Sequence, residues 1–246
     1  MNSPAQHAAA KAAELTARVD AATARVLGTA AGITDDAARQ PSLLPGWTRG
    51  HVLTHLARNA DGLRNLLIWA RTGVETPQYA SSEARNDEIE AGAGRPAAEL
   101  AADLAGSAAA FGAEAARLAD GDWLGQVRAL RGPAHPAWVT LRRRLTEVEI
   151  HHVDLDAGYG PADWPVDFSA ELLPRVAGDF SDADCPAALL NDSTNRSQHR
   201  IGPAEHPPEI TITGPSWQLL AWLLGRSDGT GLTAEPAGPL PPVPPW

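Results

Sequence analysis

Cysteine is almost absent: Cys185 is the only one, so the chain can form neither an internal disulfide nor a cysteine-based metal site. Lysine is as scarce, with Lys11 alone, and the formal net charge is −10. A surface of that sign repels phosphate backbones and anionic lipid, which argues against nucleic acid and membrane as partners. It leaves room for a local arginine site that takes a small carboxylate. No stretch approaches the run of about 18 apolar residues that a membrane span needs. The start, Met1-Asn2-Ser3-Pro4, lacks the basic segment and apolar core of a secretory leader. These absences predict a soluble, cytoplasmic protein. Aromatic residues are few, although eight of them are tryptophan, and alanine is abundant. That balance favours helices packed closely through small side chains. The 246 residues suffice for one large domain, or for a main domain with a smaller companion.

Helix signals dominate the first two thirds. Ser3-Pro4 supplies an N-cap and a proline at the first helical position, predicting an alanine-rich helix to about Gly28. Gln40-Pro41-Ser42-Leu43-Leu44-Pro45-Gly46-Trp47 is a turn-rich connector. Thr48 then caps a second long helix that ends near Thr72-Gly73. A short helix is predicted over Ser82–Glu90, a third long one from Pro96 to about Ala119, and a fourth from about Ala137 to Ala157. Four long helices within 160 residues predict a four-helix bundle over residues 1–160. Beyond Gly160 prolines become frequent. Glu209–Gly214 reads as a strand, Pro215–Leu224 as a helix and Leu232–Ala234 as a short strand, so residues 161–246 read as a small α/β domain. The tail Pro239–Trp246 is too rich in proline for regular structure. No internal repeat is apparent.

Helical periodicity places three ligand-type side chains on inward faces. On the second helix Val52, His55, Leu56, Asn59, Leu63, Leu66, Leu67 and Ala70 share one stripe, while His51 falls on its flank. On the fourth helix Glu147 and His151 are four apart and stack on one face, with Thr140, Arg143 and Asp154 in the same sector. Val148 and Leu155 border that sector on one side, Val139 and Ile150 on the other. Arg142 and Glu149 fall at the opposite pole, where water is expected, and His152 falls on an apolar stripe as a core histidine. One histidine plus Glu-x-x-x-His supplies three nitrogen and oxygen donors, the number typical of a catalytic zinc site with a fourth position open. The donors are only mildly selective among divalent metals. On periodicity alone the competing readings stay open: a hydrogen-bonded core histidine for His55, and an ordinary helix pair for Glu147 and His151.

Several segments carry a family resemblance. Leu44-Pro45-Gly46-Trp47-Thr48 and His55-Leu56-Ala57-Arg58-Asn59-Ala60-Asp61 resemble the mycothiol-dependent maleylpyruvate isomerase family. So do Thr76-Pro77-Gln78-Tyr79, Arg85, Glu88-Ile89-Glu90-Ala91-Gly92-Ala93, the helix Glu147–Leu155, and Leu223-Leu224-Gly225-Arg226. The likeness spans most of the chain and is specific in combination. It implies a mainly α protein, a DinB-like four-helix bundle followed by a small α/β domain. It implies a metal, zinc first, on His55, Glu147 and His151, and an Arg226 needed for activity. Residues 190–208 are polar and depart from the familiar pattern, which bears on the substrate more than on the metal.

The chemistry implied by the resemblance is cis–trans isomerisation of maleylpyruvate, or a similar unsaturated keto acid, by reversible addition of a thiolate. Cys185 is a poor source of that thiolate, since the acidic Asp182-Ala183-Asp184 precedes it. An external thiol therefore suits, and the family's is mycothiol. A free thiol is mostly protonated at neutral pH, and a metal would deprotonate it. Arg226 would bind a substrate carboxylate or steady developing charge, and Arg85 is a second candidate for a carboxylate. Competing expectations are a mycothiol S-transferase on the same scaffold, a metal-binding bundle without turnover, and metal-dependent hydrolysis.

Overall fold

The computed structural model describes residues 3–181 and 183–246; Asp182, in the acidic stretch before Cys185, lies outside them. The chain divides into two compact units, one ending at Gly158 and the other starting at Tyr159.

In the first unit Ser3 caps α1 (Pro4–Ala31): its hydroxyl accepts the Gln6 backbone N–H at 3.2 Å, and the Gln6 side chain accepts the Ser3 N–H at 2.8 Å. Ala8, Ala12, Leu15, Val19, Ala22, Val26 and Ala30 are buried at steps of three and four, one stripe of mostly small side chains. The helix runs three residues beyond the predicted Gly28. A short α2 (Asp35–Arg39), not foreseen, follows it. Thr48 caps α3 (Arg49–Thr72), which ends at Gly73 with φ +72°, a left-handed stop that glycine adopts without strain. Next come α4 (Ser82–Ala93), α5 (Ala97–Ala115), a ribbon of β1 (Gln126–Val127) and β2 (His135–Pro136), and α6 (Trp138–Asp154).

The long helices close a ring. α3 packs on both α5 and α6, and α1 packs on the same two. α4 lies on α3, where a β-carbon on Gly50 would overlap the Ala93 carbonyl oxygen. The N-terminus of α3 is stitched to the C-terminus of α6. Arg49 Nε donates to the Leu155 carbonyl at 2.6 Å and its Nη2 to the Asp156 carbonyl at 2.9 Å, while the Leu43 N–H donates to the Asp154 carbonyl at 3.0 Å. Those bonds register the two helices that carry the candidate ligands. One expectation fails here. Glu149 does not face water but is 1% exposed, because Arg25 of α1 reaches across to it at 2.5 Å.

The second unit holds α7 (Val166–Asp179), β3 (Ala188–Asp192), β4 (Ser197–Ile201), β5 (Ile210–Gly214), α8 (Ser216–Leu223) and β6 (Thr233–Glu235). Its sheet order is β4-β3-β5-β6, with β3 and β5 parallel and the outer pairs antiparallel. α7 packs against α8, which also touches β3 and β5. The expected strand, helix and short strand correspond to β5, α8 and β6. α7 went unread because Pro174 lies inside it, where proline normally breaks a helix; burial of Phe168, Leu172, Leu173 and Val176 outweighs that cost. Part of the polar stretch 190–208 proves to be the hairpin of β3 and β4. Among the described residues no helix is long and apolar enough to cross a membrane.

Candidate metal centre

Leu44-Pro45-Gly46-Trp47 is a tight turn, with the Trp47 N–H donating to the Leu44 carbonyl at 3.1 Å and Gly46 at φ +80°. It delivers the Trp47 ring onto the first turns of α3, 6.0 Å from the His51 ring and 5.6 Å from that of His55. His55 is 3% exposed and faces α6. Its Nε2 lies 2.9 Å from Glu147 Oε2, and His151 Nε2 lies 3.4 Å from the same oxygen. The His55 and His151 rings meet edge to face, centroids 4.5 Å apart.

One donor atom from each of His55, Glu147 and His151 falls within 4.8 Å of the others. Around a tetrahedral ion with bonds of about 2.1 Å, neighbouring donors stand about 3.4 Å apart. The observed 2.9 and 3.4 Å therefore need only a small outward adjustment to admit a metal. The donor set fits as well: two imidazoles and one carboxylate leave a position open. His151 also has the support typical of a metal-bound histidine. Its Nδ1 stands 2.7 Å from Asp154 Oδ2, and that carboxylate is fully buried.

Ionisation follows from this geometry. Burial pushes the His55 pKa down to about 4, and the charge of His151 pushes the same way. Burial also opposes charge on His151, but hydrogen bonds to Asp154 and Glu147 outweigh it and raise its pKa. Burial alone would raise Glu147, yet hydrogen bonds from both histidines hold its carboxyl well below the usual range. Metal binding must therefore expel one proton, that of His151, since His55 is already neutral and Glu147 already an anion. A proton held more tightly than usual competes with the ion, so affinity rises with pH until the raised pKa is passed. Below about pH 6.5, where His151 holds its proton, metal affinity should climb as the pH rises, as read by competition with a chelator. A flat profile would contradict the assignment.

The family model described as the mycothiol maleylpyruvate isomerase N-terminal domain matches residues 19–156, and the MDMPI C-terminal domain matches residues 163–245. Two solved structures are similar: the crystal structure of the mycothiol-dependent maleylpyruvate isomerase, and that of a histidine-to-alanine mutant of it. Each is 28% identical, with TM-score 0.89, over 96% of this chain and 97% of the other. No curated protein sequence matches the chain. The chain belongs to the mycothiol maleylpyruvate isomerase family.

The other residues singled out in this family member take varied places. Arg85 reaches the centre, its Nη2 donating to His55 Nδ1 at 3.1 Å. His51 does not take part: its Nδ1 lies in the Thr48 cap and its Nε2 lies 2.8 Å from Glu90 Oε2. Asn59 does not support a ligand but accepts from Arg144 Nη1 at 2.9 Å. Arg226 belongs to the second unit, where it follows the left-handed Gly225 after α8 and its Nη1 donates to the Leu224 carbonyl at 2.6 Å. Cys185 is buried, and burial, then the charge of Asp184, pushes its thiol up, which suits the expectation of an external thiol.

Two residues escaped sequence reasoning. Arg144 is fully buried, and it precedes Glu147 by three and His151 by seven, so it shares their helix face. Tyr79 lies in an irregular segment, where periodicity says nothing of direction. Its pKa is raised by burial first and then by Glu147.

Proposed function

We propose that the chain is a mycothiol-dependent cis–trans isomerase acting on maleylpyruvate or a similar unsaturated keto acid, with a divalent metal, zinc first, on His55, Glu147 and His151. The observation that carries the reading is the convergence of those three donors in a chain whose two matched domains span nearly its whole length. A metal held there supplies a Lewis acid that keeps a coordinated thiol ionised near neutral pH.

The chain's own residues account for the remainder. Glu147 provides the one negative charge among the ligands, and Asp154 holds Nδ1 of His151 so that Nε2 points to the centre. Trp47 covers one side of His55 and keeps water from that face. Arg85 donates to Nδ1 of His55 only while that nitrogen lacks a proton. A metal on Nε2 would place the ring proton on Nδ1 and would free the guanidinium for another acceptor. A substrate carboxylate is the natural one, held in a two-pronged contact. Arg226, in the second unit, is proposed as needed for activity, on the strength of the family likeness. Because the thiol is added and then expelled, the net change is geometric and needs no oxidant or reductant.

The test is an assay of the purified protein on maleylpyruvate with and without mycothiol, beside its metal content. Isomerisation that needs both thiol and metal is expected, with no net thiol consumed. Stoichiometric thiol loss would replace the isomerase with an S-transferase, and turnover without thiol would favour hydrolysis.

A further inference from the structure

The segment 76–81 between α3 and α4 has no regular structure, yet it is fastened at three points. Asn65 Nδ2 donates to the Pro77 carbonyl at 3.3 Å, and Gln78 Oε1 accepts the Leu130 backbone N–H at 2.8 Å. The third fastening is Gly62 of α3. A β-carbon there would lie 2.8 Å from the Gln78 carbonyl oxygen and 3.0 Å from Cε1 of Tyr79, so only glycine lets the segment lie so close. Gly62 follows His55 by seven residues and shares its helix face, two turns along. The Tyr79 ring is thus laid on the face that carries the first metal ligand. The Arg85 guanidinium carbon lies 6.0 Å from that ring's centroid, and the same guanidinium reaches His55 Nδ1.

These fastenings do little for the hydrophobic core, since Tyr79 itself is only half-buried. What they fix is the place of one phenol under Arg85, whose guanidinium reaches His55, and within the field of Glu147. We infer that Tyr79 donates a hydrogen bond to the substrate oxygen that gains negative charge while the double bond is opened, an inference that rests on the isomerase reading above. Division of labour with Arg85 follows from charge. A guanidinium binds a carboxylate that is already charged, so it acts on the bound ground state. A neutral phenol, protonated near neutrality, gains most when its acceptor becomes charged, because charge-assisted bonds are about twice as strong as neutral ones. Its effect therefore falls on turnover rather than on binding.

Tyr79→Phe keeps the ring, its contact with Gly62 and its place under Arg85, and removes only the hydroxyl. Expected is a fall in kcat of about 10- to 100-fold, with KM changed less than about threefold and with metal content and unfolding midpoint as in wild type. Arg85→Gln should show the opposite split, a raised KM with the smaller change in kcat. A kcat for Tyr79→Phe within about twofold of wild type, in an active wild-type enzyme, overturns the role of Tyr79 alone. So does a loss of metal or of midpoint, which would make the hydroxyl structural. A wild-type protein that does not isomerise overturns the parent reading, and this inference with it.

Discussion

Glu147→Gln is expected to give a folded protein that loses its metal on dialysis and, with it, thiol-dependent isomerisation. Glu147 is the anionic donor among the three, and one oxygen of it serves both imidazoles, at 2.9 and 3.4 Å. Glutamine keeps the length and shape but offers a neutral carbonyl or an N–H in that place. Replacing the groups that merely support a ligand costs 10- to 100-fold in affinity, so losing the charged ligand should cost more than about 100-fold. The fold should tolerate the change, because the Glu147 side chain is 34% exposed and glutamine keeps its shape. His151 keeps Asp154 as its partner, although the buried Arg144 loses the nearby charge of Glu147. Metal analysis after dialysis, set beside the thermal midpoint, separates the two effects. Full metal retention in the variant would move the site elsewhere.

The convergence of the three candidate ligands was legible because a helix converts spacing into direction. Once α3 and α6 are recognised, their periods put His55 on one inward stripe and Glu147 with His151 on another. The same rule holds for Arg144, three before Glu147 and seven before His151, which shares that sector with Arg143. Direction was not legible where no period exists. Trp47 and Arg85 reach the centre, and Tyr79 reaches Arg85, from a turn, a short polar helix and an irregular segment, and only long-range fastenings such as Gln78 to Leu130 decide where they point. Glu149 failed for a related reason. Its own helix placed it outward, but a partner on α1, 124 residues away in sequence, covers it. In the second unit the polar β4 is recognisable only from its pairing with β3, since an edge strand need not alternate.

Asn59→Leu should destabilise the first unit sharply, and adding Arg144→Met should reverse the loss. The Arg144 guanidinium is fully buried, and its Nη1 donates to Asn59 Oδ1 at 2.9 Å and to the Leu56 carbonyl at 2.8 Å. Among the described residues its Nε and Nη2 have no hydrogen-bond partner. Burial accordingly pushes its pKa down to about 10, although Glu147 pulls the other way. A cation so placed depends heavily on its few acceptors. Leucine at position 59 matches asparagine in size but removes one of two, and should cost about 2–4 kcal/mol. Methionine at position 144 removes the charge that needed the acceptor, and exchanging a buried charged network for apolar groups of similar volume is often neutral or stabilising. The double variant should therefore unfold in denaturant at or above the wild-type midpoint. If it unfolds as early as Asn59→Leu alone, the asparagine supports something other than the arginine. A stable double variant that still binds metal but turns over slowly would mean that the buried charge, on the face shared with Glu147 and His151, is kept for the reaction rather than for the fold.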